Sequence, residues 1–462
     1  MEAPSQAATF LEGEARALLT RLDRVKPFAL HETMVPAAAL APAAQAAVES
    51  FLIRGRKNVR TQVEAYLSWL TGPGRDAMPE LLQRRFALLR QRFNEVLTQF
   101  DLFQEAITQR SEREIGVWLS GLDVAAADAL AVPGTVLATP IPVACYLDRG
   151  PGGAIRRANT LIAGGRSPIA LIRIPRERMV GYGIGATLVH EVGHQAAALL
   201  GLVGSLRSVL YDLERRSRHP AERAAFAYWG LTVSEIVPDL YAVGKLGIAA
   251  TLGLMAVVSL PRRLVLTPVP GDRHPFPYIR VRLSCAMGEA LCPHPQWRKV
   301  SDLWTSLYPP SRTPDELHGL IRALEASIPR FVSLLLRHRS TALRGAQLSD
   351  LMPRFTRTPE LLAARYRSWS RQPSLMRAAP PTLVFAVLGQ ARAAALITPE
   401  EESRLLGDLI THWALSSTLD AMTRCAGGAS EPLQASNRGG QSWRRSGLSP
   451  NPSSREAGFS SS

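Results

Sequence analysis

His190-Glu191-Val192-Gly193-His194 sets two imidazoles four residues apart, with a carboxylate directly after the first. On an α-helix, residues i and i+4 share a face, so both imidazoles can reach one ion. Zinc held by such a pair lowers the pKa of a bound water to about 7, and Glu191 can take the proton as that water attacks a carbonyl. A catalytic zinc also needs a third protein ligand and an open fourth position. The next segment rich in candidates is Ser234-Glu235-Ile236-Val237-Pro238-Asp239. Glu235 lies 41 residues past His194, enough chain for one helix, a turn and part of a second helix, and it is the expected third ligand. Asp239 follows one turn later on the same face. From there it can accept a hydrogen bond from a ligand histidine and fix its tautomer. The competing reading makes both acids solvated helix residues, but apolar neighbours on either side favour a partnered role.

A third element is Asp272-Arg273-His274-Pro275-Phe276-Pro277-Tyr278-Ile279-Arg280. The prolines stiffen the backbone around His274. Its imidazole could donate to a developing oxyanion or sit at the fourth zinc position in a resting state. A donor is useful in every turnover, so the first role is the expectation. Arg280 could pair with a carboxylate and hold the loop, or bind a substrate carbonyl. The plainer alternative is a surface turn with a capping Asp272.

H-E-x-x-H, then E-x-x-x-D, then H-P-x-P-x-x-R, in this order, resembles the gluzincin metallopeptidases of the HtpX and CaaX-prenyl-protease type. The pieces that carry the resemblance are HEVGH, SEIVPD and HPFPYIR, and it spans roughly residues 140 to 285. It implies an α+β, predominantly α-helical fold, with a small zincin-like core flanked by helical domains. It implies one Zn²⁺ per chain, held by His190, His194 and Glu235, with Glu191 as general base and Asp239 behind a ligand. His274 and Arg280 would then be active-site loop residues, and the partner a peptide or protein substrate. In zincins an edge strand beside the active-site helix pairs with an extended substrate. Ala170-Leu171-Ile172-Arg173-Ile174 is the candidate for that strand, and a plain core strand is the alternative. Two local features differ from the type: Ser234 stands where Asn often precedes the ligand Glu, and Pro238 falls inside the ligand helix.

The rest of the chain must position these groups. Residues 1–130 read as an N-terminal helical domain. Leu82, Phe86, Leu89, Phe93, Val96, Phe100, Phe103 and Ile107 recur at alternating steps of four and three, a heptad seam. Its expected partner is the segment 43–70, reached through a turn at Thr71-Gly72-Pro73-Gly74 as an intramolecular hairpin. Residues 131–300 form the expected peptidase core, in which Val143–Leu147 and Ile169–Ile174 read as strands. Gly181-Tyr182-Gly183-Ile184-Gly185 reads as a turn into the HEVGH helix rather than a dinucleotide loop. Residues 301–425 form a basic helical region, and 426–462 an expected disordered tail with few apolar residues.

Composition narrows the function classes. Of 462 residues, 46% are hydrophobic and 20% charged, which excludes a wholly disordered or collagen-like chain. The formal net charge is +15, carried almost wholly by Arg, since the chain has only Lys26, Lys57, Lys245 and Lys299. The ten Arg between 330 and 377 keep a rival open: a basic helical scaffold for nucleic acid or an acidic partner. No recognition motif and little aromatic interleaving accompany them, so nucleic acid is not the expected partner. A zinc-bound fold with little turnover is a further alternative. Four Cys exclude a disulfide scaffold, and Cys285 and Cys292 lack zinc-ligand spacing. The longest apolar run, Leu246–Leu260, is 15 residues, short of the roughly 20 that span a bilayer. It reads as a buried core helix. The N-terminal stretch carries Glu2, Glu12 and Glu14 and no basic n-region, so no secretory signal and a cytoplasmic location are expected.

Overall fold

Proline sets the helix starts. Pro42, Pro79, Pro220, Pro277, Pro295, Pro359 and Pro381 each stand at the first turn of a helix in the computed structural model. There a missing N–H costs nothing and the fixed φ is already helical. The structure describes residues 6–25, 34–132, 135, 137, 141–150, 152–162, 165–179, 181–312 and 314–428. The described residues are 76% helix and 5% strand, a mostly α fold with a small sheet. It divides into two compact units, Met1–Asp420 and Ala421–Ser462. Of the second, residues 421–428 are described and are helical; the rest of the expected disordered tail lies outside the described residues.

The first helices are α1 (Gln6–Arg24), α2 (Pro42–Thr71), α3 (Pro79–Thr108) and α4 (Arg113–Leu130). All eight seam residues of α3 are buried, and α2 and α3 pack together with α1, so the heptad serves an intramolecular bundle. Five strands follow: β1 (Val143–Asp148), β2 (Ala154–Arg156), β3 (Leu161–Ile162), β4 (Gly165–Arg166) and β5 (Ala170–Pro175). β1 and β5 pair in parallel, β2 pairs antiparallel to β5, and β3 and β4 form a separate small hairpin. The sheet order is β1-β5-β2.

The near-continuous apolar runs of β1 and β5 follow from burial on both faces. Ala144 and Leu171 join the core of the N-terminal helices, whereas Cys145 and Ile172 join the larger core on the opposite face. The outer edge of β1 is closed by side chains. Asp123 accepts from Cys145 N–H, Arg110 donates to Cys145 O, and Gln109 both donates to and accepts from the Leu147 backbone. Arg110 and Asp123 are themselves a buried ion pair, 2.9 Å apart.

Beyond the sheet come α5 (Tyr182–Leu199), α6 (Leu202–Arg216), α7 (Pro220–Leu246), α8 (Ile248–Val258) and α9 (Arg262–Leu266). Next are α10 (Pro277–Leu291), α11 (Pro295–Leu307), α12 (Asp315–Arg337), α13 (Pro359–Arg371), α14 (Pro373–Arg377), α15 (Pro381–Ala393) and α16 (Pro399–Gly428). Helix α5 packs on α7 and α8, and α10 packs on α7. The apolar run expected as one buried helix begins at the end of α7 and breaks at Gly247, whose φ of +61° suits glycine. Its second part, α8, leaves Leu254 and Val257 half-buried. Among the described residues no single helix is long and apolar enough to cross a membrane; α5 and α6, bent by 77°, meet that test only as a pair.

Candidate metal centre

Helix α5 presents His190 and His194 on one face, their rings 5.0 Å apart and perpendicular. Helix α7 runs alongside and delivers Glu235 between them. Glu235 Oε2 lies 3.5 Å from His190 Nε2 and 3.3 Å from His194 Nε2. One ligand atom from each of the three residues lies within 4.8 Å of the others, the one such group among the described residues. Cys285 and Cys292 are free thiols and take no part.

The approach of α5 to α7 depends on a glycine. A Cβ at Gly193 would come within 2.8 Å of the Pro238 backbone. Pro238, inside α7 and buried, packs where Gly193 leaves room. The two residues that look anomalous in helix interiors are therefore a matched contact within one turn of the ligands.

One turn past Glu235, Asp239 holds the site from behind. Its Oδ1 accepts from His190 Nδ1 at 2.9 Å, and its carboxylate takes both Arg280 Nε (2.7 Å) and Nη2 (2.9 Å). Of the two roles open to Arg280, this is the carboxylate pairing. Its guanidinium is buried and bidentate on Asp239. Burial would raise the Asp239 pKa, but Arg280 and His190 hold it down at about 2. Burial would likewise lower His190, but hydrogen bonds to Asp239 and Glu235 hold it up at about 9. Glu235 is desolvated, which opposes ionisation, yet hydrogen bonds from His190 and His194 hold it far below the ordinary carboxylate range. Glu191 differs: burial pushes its pKa up against the two neighbouring imidazoles. A base is strengthened in that direction.

His274 approaches Glu235 from the loop before α10, outside that three-residue group. Asp272 Oδ1 accepts from its backbone N–H and stands 2.9 Å from its Nδ1. Its Nε2 lies 3.3 Å from Glu235 Oε2, the same separation as for His194. The turn thus has its capping Asp and an aimed imidazole together.

Three positions that the sequence reading passed over complete the site. The Tyr228 hydroxyl, two turns before Glu235 on α7, accepts from Phe276 N–H at 2.8 Å and so pins the chain two residues past His274. Gly153 leaves no space for a side chain, since a Cβ there would meet Glu191 Oε1 at 2.5 Å. Gly193 is the third. The signal available for Gly153 was the Gly150-Pro151-Gly152-Gly153 run before a strand, a mark of close backbone approach.

The expected substrate strand is corrected. Ala170–Ile174 lies within β5, the middle strand, paired on both sides, so its backbone is occupied. The strand with an open edge is β2, which directly follows Gly153. A cavity of ≈ 450 Å³ adjoins these groups; Gly153, Thr187, His190, Glu191, His274 and Arg280 line its polar end.

The Arg-rich stretch engages several of its cations within the chain, mostly at the surface. Arg330 pairs with Glu222 and Arg354 with Asp350, Arg339 donates to Gly345 O, and buried Arg357 donates to Lys245 O. No protein-family model matches this chain, and neither does any curated protein or solved structure compared with it.

Proposed function

We propose that the chain is a zinc-dependent peptidase of the gluzincin type, with a zincin-like core, in which His190, His194 and Glu235 are the ligands and Glu191 the general base. The observation that carries this reading is the convergence of two imidazole nitrogens and a carboxylate oxygen, with Asp239 hydrogen-bonded behind one of them. The donor set fits the ion. In a tetrahedral site with bonds of about 2.0–2.1 Å, neighbouring ligand atoms lie roughly 3.3–3.4 Å apart. The separations from Glu235 Oε2 to the two imidazoles are 3.5 and 3.3 Å. The tautomer fits as well: with Asp239 ionised, His190 Nδ1–H is the donor and Nε2 faces Glu235.

The chemistry supplied by a zinc ion bound there is polarisation of a carbonyl and a water pKa near 7. The chain's own residues do the rest. Glu191 takes a proton from the attacking water at a carboxylate oxygen and returns it to the leaving amine. Asp239, kept ionised by Arg280, holds the His190 ring in orientation. The open edge of β2 offers backbone groups to an extended peptide beside Glu191, and glycine at 153 keeps that approach clear.

Elemental analysis of purified protein tests the reading. One zinc per chain is expected in the wild type, lost in the His190→Ala, His194→Ala double variant. Equal zinc in the two removes the site. Glu191→Gln should keep zinc and lose peptide hydrolysis by about 10²–10⁴-fold; hydrolysis at the wild-type rate removes Glu191 as the base.

A further inference from the structure

The cavity beside Glu191 has two unlike ends. Away from the ligands its wall is α8 and the chain that follows it: Ala250, Gly253, Leu254, Val257 and Val258, then Leu260. Helix α8, Ile-Ala-Ala-Thr-Leu-Gly-Leu-Met-Ala-Val-Val, holds no charged residue. Thr267 near the rim offers an uncharged hydroxyl, and the other polar groups on this side are engaged. Ser284 lines the cavity, but its hydroxyl lies 2.8 Å from that of Thr251 and is spent there. The Arg280 guanidinium is committed to Asp239. A charged side chain entering here would lose its water and find no counter-ion, whereas an apolar one gains by burial.

Size and rim say how much the cavity takes. An apolar cavity of about 150 Å³ accommodates a benzene, and this one measures ≈ 450 Å³, more than one side chain needs. At its mouth Leu260, Leu264 and Val269 are 41%, 53% and 60% exposed. Large apolar residues grouped at the mouth of a cavity mark a binding surface rather than scattered surface carbon. Leu254 and Val257, the half-buried residues of α8, face this cavity.

We propose that the α8–α9 cavity is a specificity pocket that receives a large aliphatic or aromatic side chain next to the scissile bond, with a second apolar side chain covering the rim. The substrate class is then apolar peptide segments. This rests on the peptidase reading, because the pocket gains its meaning from continuity with Glu191 and the ligands. Val257 and Leu264 are the specificity-determining positions, one in the wall and one at the rim.

The test uses Gly/Ser decapeptides carrying Leu-Leu, Phe-Leu, Gly-Gly or Asp-Asp at the centre. They are bound to the zinc-loaded Glu191→Gln protein, which keeps them uncleaved, and followed by fluorescence anisotropy. The Leu-Leu and Phe-Leu peptides should bind about 10- to 100-fold more tightly than the Gly-Gly and Asp-Asp peptides, the scale of burying a large side chain. Adding Val257→Trp, which fills the wall, should remove at least a tenfold share of that preference and leave Gly-Gly affinity within about twofold. Leu264→Trp serves the same purpose at an exposed position that tolerates bulk without unfolding. Equal affinity for Leu-Leu and Asp-Asp, or a preference untouched by both Trp variants, overturns the pocket. Apolar peptides bound selectively but left intact by the wild type support the pocket and remove the peptidase reading. Cleavage of all four peptides at equal rates keeps the peptidase and removes the pocket.

Discussion

Asp239→Asn separates two things that one carboxylate does. In the wild type it accepts three donors: Arg280 Nε at Oδ2, and Arg280 Nη2 and His190 Nδ1 at Oδ1. An asparagine amide keeps one acceptor oxygen and turns the other corner into a donor. If the NH₂ replaces Oδ2, it faces Arg280 Nε; if it replaces Oδ1, it faces both Arg280 Nη2 and His190. Either orientation loses at least one bond and leaves a guanidinium, with its side chain only 10% exposed, without a counter-charge. Breaking a buried pair by removing one partner costs about 3–5 kcal/mol. Losing the group that orients a ligand histidine costs about 10–100-fold in metal affinity. Glu235→Gln makes the contrast. Glu235 pairs with three imidazoles and acts on Arg280 only through its charge, behind Asp239, so its loss should weaken zinc far more and stability less. Urea unfolding in a chelator and competition for zinc with a graded chelator should therefore rank the two variants in opposite orders. If Asp239→Asn unfolds at the wild-type urea concentration, Arg280 does not depend on it. If it also loses more zinc than Glu235→Gln, the roles of the two acids are exchanged.

His274→Ala should lower kcat by about 10²–10³-fold and leave zinc affinity unchanged. Its Nε2 lies 3.3 Å from Glu235 Oε2, yet His274 stands outside the group formed by His190, His194 and Glu235, in keeping with the oxyanion donor expected from sequence. A rise in turnover with weakened zinc binding would make it a resting ligand instead. Tyr228→Phe keeps the ring against Phe276 but strips the Phe276 N–H of its acceptor. It should reproduce the His274→Ala phenotype in part, and wild-type behaviour would mean that the loop holds itself. Glu402 is 2% exposed, and burial pushes its carboxyl up to about 7. A raised folded-state value means that its contribution is present below the unfolded pKa near 4.5 and is lost as pH rises through about 7. Glu402→Gln should therefore gain stability over the wild type between pH 5 and pH 8, by at most about 3 kcal/mol. A constant difference across that range in urea titrations would refute it.

What could be read from the sequence follows physical locality. The seam of α3 was legible because eight apolar residues at a fixed period report one buried face. His190, Glu191 and His194 were legible because helical spacing alone puts them together. Glu235 and Asp239 were legible one step less directly, as acids placed among residues that become core. Ala170–Ile174 reads as an edge strand and lies in the middle, because a six-residue apolar run looks the same at a sheet's centre and at its edge. What distinguishes them is the partner: β2 is three residues long and only intermediate or exposed in burial, too short to show alternation. The Leu246–Leu260 run, read as a buried core helix, is core at Leu246, Ile248, Ala249, Ala250 and Val258, but it breaks at Gly247 and leaves Leu254 and Val257 half-buried, which apolarity alone does not show.

The residues that fix the site's geometry show no pattern at all, because their meaning lies in what approaches them. Gly193 inside the H-E-x-x-H pentad and Pro238 inside the ligand helix each look like a local cost, roughly 1 and 3 kcal/mol relative to alanine in a free helix. In contact, the missing side chain of one makes room for the ring of the other. Tyr228 and Asp239, on either side of Glu235 along α7, each fasten a different part of the segment that carries His274 and Arg280. Helix α7 therefore carries Glu235 and anchors the segment facing it. A shift of α7 moves Glu235, the His190 orientation and the His274 loop together, so substitutions at this helix should change zinc affinity, turnover and stability jointly. Substitutions in α8, which holds none of these groups, should change which peptide is bound and leave the metal untouched.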